Sequence, residues 1–192
     1  MSSIKLESNP SGTGVFTLAS PNSNTNRTLT LPDNTGTILT SATTTGFPAG
    51  SVLQVVSATY STTTSITSTS YTDTGLSVTI TPTSASSKIL VLGFLSGRMY
   101  AGTNADTKFY FNILRASTTV YEKMTDNLQA ATGAGGFAIW PLVDVMYLDS
   151  PSTTSSTTYK IQAKLDSSAS SRTIQISPLS SNSTITLMEI AA

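Results

Sequence analysis

The chain has 192 residues, ten Lys and Arg balanced by ten Asp and Glu, and neither His nor Cys. Zero net charge leaves no basic surplus for phosphates, which argues against a nucleic-acid partner, and the missing His and Cys remove disulfides, thiolate chemistry, the commonest general base and the commonest transition-metal ligand. Charged residues make up 10% of the chain against about 25% in ordinary domains, while Ser and Thr supply roughly a third, a composition that favours extended backbone because Thr is β-branched.

Along the chain, the opening Met1–Glu7 lacks the apolar core of a secretory signal. No run approaches the roughly 18 apolar residues that span a bilayer. Production in a cytoplasm, with no membrane insertion, is the expectation.

Three short extended pieces follow: Gly14–Leu18, Arg27–Leu31 and Gly36–Thr40. Turn formers separate them, in Ser20-Pro21-Asn22-Ser23-Asn24 and in Pro32-Asp33-Asn34-Thr35-Gly36. Leu29 and Leu31 share one face of the middle piece, Thr28 and Thr30 the other. Two or three apolar side chains per piece cannot offset the entropy of ordering such a segment alone. The regular alternation favours burial against other copies of the same segment. Val15, Phe16, Leu18, Leu29, Leu31, Ile38 and Leu39 are the candidate contacts. Residues 1–46 thus form one segment, and Thr43–Gly50 is the hinge to a domain over residues 47–192.

That domain reads as about nine strands joined by short polar turns, the pattern of an antiparallel sandwich or jelly roll. Val52–Tyr60 opens it. Leu76, Val78 and Ile80 alternate with Ser77, Thr79 and Thr81. Tyr159, Ile161, Ala163 and Leu165 alternate with Lys160, Gln162 and Lys164. Further strands are expected at Lys88–Met99, Thr107–Arg115, Thr118–Met124, Phe137–Asp149, Arg172–Ile176 and Thr184–Ile190. Glu122–Ala131 could form one or two helical turns before Gly133.

Ile89–Leu95 breaks the alternation, being apolar at nearly every position. Both of its faces should therefore be covered, one by the core and the other by a loop or a neighbouring subunit. The second option makes Leu92 and Phe94 candidate subunit contacts.

The catalytic inventory is poor. A Ser–His–Asp triad is impossible without His, and none of the six lysines sits in a Ser–Lys motif. Asp144 and Asp149, five residues apart, fall on opposite strand faces, so they read as solvated edge or turn aspartates rather than a glycosidase pair. Asn104-Ala105-Asp106 lacks the rest of a calcium loop, and Thr132–Phe137 is glycine-rich without the strand–loop–helix context of a phosphate cradle. Tyr100, Trp140 and Tyr147 could stack on sugars, although Trp140 and Tyr147 lie in an apolar strand and core packing is the expected role. The expectation is a non-enzymatic protein without catalytic residues, metal or cofactor.

Asn26-Arg27-Thr28-Leu29-Thr30-Leu31-Pro32-Asp33-Asn34-Thr35-Gly36-Thr37-Ile38-Leu39 resembles an element of bacteriophage tail-fibre and related virion proteins. Phe47-Pro48-Ala49-Gly50-Ser51-Val52-Leu53-Gln54-Val55-Val56 resembles the opening of the β-sandwich that often follows it in phage proteins. The resemblance covers about residues 11–57 and implies an all-β homotrimer with intertwined N-terminal segments and a C-terminal knob. The function implied is structural: a capsid decoration (cement) or short head-fibre protein on the virion surface, assembled in the host cytoplasm against the major capsid protein or another virion protein. The alternative is a tail fibre or receptor-binding knob whose loops contact a host surface glycan.

Overall fold

The computed structural model describes residues 10–15, 17, 19, 22–26, 28, 47–101, 106–124, 128–129, 137–166 and 172–192. The chain divides into two units, Met1–Thr37 and Ile38–Ala192. In the first, the described residues are exposed and lie in neither helix nor strand.

The second unit is all β. Its strands are β1 (Val52–Tyr60), β2 (Thr64–Ile66), β3 (Thr72–Ile80), β4 (Lys88–Ala101), β5 (Asp106–Thr107), β6 (Phe109–Arg115) and β7 (Thr118–Met124). They continue with β8 (Leu128–Gln129), β9 (Phe137–Ile139), β10 (Leu142–Asp149), β11 (Thr157–Leu165), β12 (Thr173–Ile176) and β13 (Ser183–Ile190). The expected helical turns over Glu122–Ala131 do not form among the described residues. Glu122–Met124 finish β7, where they pair with β6, and Leu128–Gln129 pair with Asp106–Thr107. Good helix formers are overridden here by cross-strand pairing.

Two antiparallel sheets stack into a sandwich. The first is organised around the 14-residue β4. Its N-terminal half lies between β10 and β13, with β1 beyond β13, and its C-terminal half lies between β9 and β12, with β2 beyond β12. The second sheet has the order β3-β11-β6-β7.

The pairing of the eight long strands is nested. The first pairs with the last (β1 with β13), the second with the seventh (β3 with β11), the third with the sixth (β4 with β10) and the two middle ones with each other (β6 with β7). The result is one long hairpin bent over on itself.

Alternation decides which side chains enter the core. Ile89, Val91 and Leu95 of β4, Ile185 and Leu187 of β13, Phe109, Phe111 and Ile113 of β6, and Tyr159, Ile161 and Ala163 of β11 are all fully buried in one cluster. Where β4 crosses β11, the inward position is Gly93, and the Ile161 δ-methyl occupies the space a Cβ would take. β3 is bulged opposite Ile161. The extra residue is accommodated by Gly75 at φ +93°, and the Thr74 hydroxyl donates to the Ile161 carbonyl at 2.7 Å, replacing a ladder bond that the bulge removes. The Tyr60 ring lies directly over Gly75.

Candidate interaction face

The two sheets share a core but differ on their outer faces. On the β3-β11-β6-β7 sheet, most outward positions are polar or have polar ends, Leu114 and the half-exposed Met124 being the apolar exceptions. Asp73 accepts from Lys160 at 2.9 Å and from Gln162 at 2.6 Å, and Lys164 lies over the Tyr71 and Tyr110 rings. Burial opposes ionisation of Asp73, but the bonds from Gln162 and Lys160 and the Lys160 charge hold its carboxyl below the ordinary value. This is a solvated surface.

The outer face of the first sheet is organised in cross-strand rows, set by the register of the ladders. Leu148, Leu90, Met188 and Val55 form one row over four strands. Met146, Leu92, Thr186 and Ser57 form the next, then Asp144, Phe94, Thr184 and Thr59. Leu142, across from Ser96, extends the apolar part. Exposure is 70% for Leu142, 64% for Met146, 54% for Val55 and 50% for Phe94.

Monomeric soluble proteins rarely leave so continuous an apolar surface bare. Lys88 lies at the end of the same β4 face, and the acidic residue, Asp144, is paired within the chain. Lys123 Nζ donates to the Asp144 carbonyl at 2.8 Å and lies 3.4 Å from Oδ2. Beside this pair Tyr121 stacks on Tyr147 with centroids 5.4 Å apart, closing the sandwich at the β7–β10 edge.

Further along β4 the same face changes character. Trp140, just past the end of β9, is followed by Arg98, Gln175 and Ser65 across β4, β12 and β2. The Arg98 guanidinium lies 5.4 Å over the Trp140 ring, its Nη1 donates to Gln175 Oε1 at 3.2 Å, and Gln175 Nε2 donates to Ser65 Oγ at 3.4 Å. Arg98, Tyr100, Thr173 and Gln175 line a hollow of about 200 Å³.

Of the sequence-derived contacts, Leu92 and Phe94 fall in the middle of the apolar rows. Val15 is 91% exposed. Phe16, Leu18, Leu29, Leu31, Ile38 and Leu39 lie outside the described residues. Leu142, Met146, Leu148, Val55 and Met188 were not singled out from the sequence. The available signal was the one that marked β4, apolar residues at both parities of a strand, and Leu142–Leu148 carries it too.

Two expectations are corrected. Trp140 is not a core residue: it is 57% exposed, on the outward parity it shares with Leu142. Asp149 is not solvated: it is 4% exposed and bonded to Arg115 and Tyr159. Asp144 does face solvent, so alternation separates the two carboxylates as expected. The other buried carboxylate, Glu189, accepts from Gln54 and Thr83. Among the described residues, no group of three or more Asp or Glu is placed to hold a metal ion.

No family model matches the chain and no curated protein does. Among solved structures it is similar to that of the infectious bursal disease virus Gt strain, at 13% identity over 74% of this chain and 39% of that one, with a TM-score of 0.30. A second likeness is to the T13 viral particle of the same virus, at 13% identity over 80% of this chain and 39% of that one, with a TM-score of 0.32. The chain thus spans well under half the length of the chains it matches, and likenesses at this TM-score carry no functional weight.

Proposed function

We propose that this protein is a non-enzymatic structural component of a bacteriophage particle, a homotrimeric capsid decoration or short head-fibre protein exposed on the virion surface. The observation that carries the reading is the asymmetry of the sandwich. One outer face is mainly polar, with Met124 as its exposed apolar side chain, and the other presents Leu92, Phe94, Leu142, Met146 and Leu148 without a cover from the described chain. Burying that face against a neighbouring copy removes the apolar surface from water, at about 25 cal/mol per Å².

Three further points support the reading. Nested strand pairing is that of a jelly roll, an architecture shared by viral capsid and lectin domains. The charge-poor hydroxyl surface suits a protein that works within an assembly. The Asn26–Leu39 element resembles that of phage virion proteins and supplies alternating leucines suited to trimerisation of the N-terminal segment. In this reading the major capsid protein or another virion protein is the second partner.

The test is the native mass of the purified chain by light scattering, for the parent and for Phe94→Asp and Met146→Glu. A parent mass of three times 20.0 kDa, with variants that keep their circular dichroism but fall to one chain, is expected. A parent that is monomeric at all concentrations, or variants that remain trimeric, would overturn the role of this face. Quantifying the protein against the capsid protein in purified particles then tests the virion assignment. Absence from the particle would sink it.

A further inference from the structure

We propose that the polar end of the same sheet face, around Arg98 and Trp140, is a binding subsite for one carboxylated sugar residue of a surface glycan. This inference does not rest on the trimer: Arg98, Gln175 and Ser65 stand on paired strands of one chain, and Trp140 lies between β9 and β10 of the same chain.

Arg98 is the centre of the argument. A guanidinium has five N–H donors, and here one polar contact, to Gln175, is made. Nε is buried and donates to no protein atom. No carboxylate among the described residues pairs with Arg98. Stacking on Trp140 and the bond to Gln175 nonetheless hold it in a defined orientation. Burial closes Nε to a ligand, but a cation fixed in place with its remaining Nη donors unused is prepared for an acceptor from outside, and a carboxylate matches the guanidinium geometry.

The surroundings specify a sugar rather than a bare anion. Trp140 is more than half exposed, and an indole face offers an apolar platform for the C–H face of a pyranose, with a polar N–H at its edge. On the other side of Arg98, Tyr100, Thr173 and Gln175 line the hollow with it, and their side chains carry two hydroxyls and an amide, groups that exchange hydrogen bonds with ring hydroxyls in both directions. The volume of about 200 Å³ is below the roughly 300–1,000 Å³ of sites for drug-sized ligands, which suits a single ring of a longer chain. A nucleic-acid strand, which could also use an aromatic–Arg pair, is disfavoured by the zero net charge of the chain.

The sequence contains one tryptophan, so intrinsic fluorescence reports on this site alone. Titrating the full chain with a glucuronate-containing tetrasaccharide should change Trp140 emission saturably at millimolar sugar, while cellotetraose, without carboxylates, and inorganic phosphate should not. Arg98→Gln, which keeps an amide near Gln175, should weaken binding about tenfold or more. Thr173→Val, nearly isosteric, should weaken it less and serves as the second variant if the first is poorly folded. No emission change with the uronate, an equal response to cellotetraose or to phosphate, or uronate binding unaltered in both variants would each overturn the assignment. A monomeric parent protein would leave it standing, so its failure and that of the trimer are separable.

Discussion

The Tyr159 hydroxyl donates to Asp149 Oδ2 across 2.6 Å, and both side chains are buried. The bond ties β11 of one sheet to the end of β10 in the other. Arg115 Nη1 completes the knot, 2.9 and 2.8 Å from the two carboxylate oxygens and 3.3 Å from the Ser150 carbonyl. Burial, followed by the bond and the charge of Asp149, pushes the Tyr159 phenol well above its ordinary value of 10.0.

Tyr159→Phe should therefore lower stability by about 1–3 kcal/mol, because a buried carboxylate loses a donor. A lower urea midpoint at unchanged slope is the readout. The pH dependence has a definite sign. The folded-state pKa is raised, so this stabilisation is complete below pH 10.0 and is lost as pH climbs beyond it. The Phe variant should show a flatter alkaline limb than the parent.

Gly93 and Ile161 make the second test. Gly93→Ala forces the Ile161 δ-methyl aside in a packed interior and should cost about 1–3 kcal/mol. Ile161→Val removes that methyl and on its own should cost about 0.5–1.5 kcal/mol. Combined, the two should cost less than their sum, since the second substitution makes room for the first. Strict additivity in denaturant melts would show that the close approach is not what requires glycine.

Glu189 gives a test at the acid end. Its side chain is fully buried. Oε1 accepts from the Thr83 amide at 2.7 Å and hydroxyl at 2.8 Å, and Oε2 accepts from Gln54 Nε2 at 2.6 Å. Burial alone would raise its pKa, but these donors outweigh burial and hold it below the ordinary 4.5. A depressed pKa places the stabilisation above pH 4.5 and removes it as pH falls through the lower folded value. Glu189→Gln should melt lower at pH 7 by about 1–3 kcal/mol of stability, and the gap should close on acidification. A gap that stays constant down to pH 2 would contradict this.

Much of the sandwich could be read from the sequence because one face of each strand is polar. In β3 and β11 hydroxyls and lysines alternate with apolar residues, and the expected apolar residues are buried, Val78 only in part. β4 carries apolar residues at both parities, and its inward side is indeed core while its outward side holds Leu92 and Phe94. From Phe137 to Asp149 the alternation is silent for the same reason, so the expectation that Trp140 packs in the core had no parity signal behind it, and the one expected strand is two, interrupted at Trp140-Pro141, where Pro141 offers no N–H. Strand β2 escaped notice because a Ser/Thr run with a single Ile66 has almost no pattern. The Arg98–Trp140 pairing was not legible because it depends on the register of β9 against β4, set by residues far away in sequence.

The nesting of the strands also dictates an order of events as the chain is made. Gln54 and Glu189, hydrogen-bonded between β1 and β13, are 135 residues apart. At about 5–20 residues per second of synthesis, the opening strand waits on the order of 10 s for its partner to exist. During that interval the edge of β1 and the inward face of β4 lack their final cover, and such exposed strands invite association between nascent chains. A coat of Ser and Thr with few charges does little to repel a neighbour. A protein of this design is therefore expected to depend on chaperones while it is being translated, and to become tolerant of crowding only after its last strand has docked.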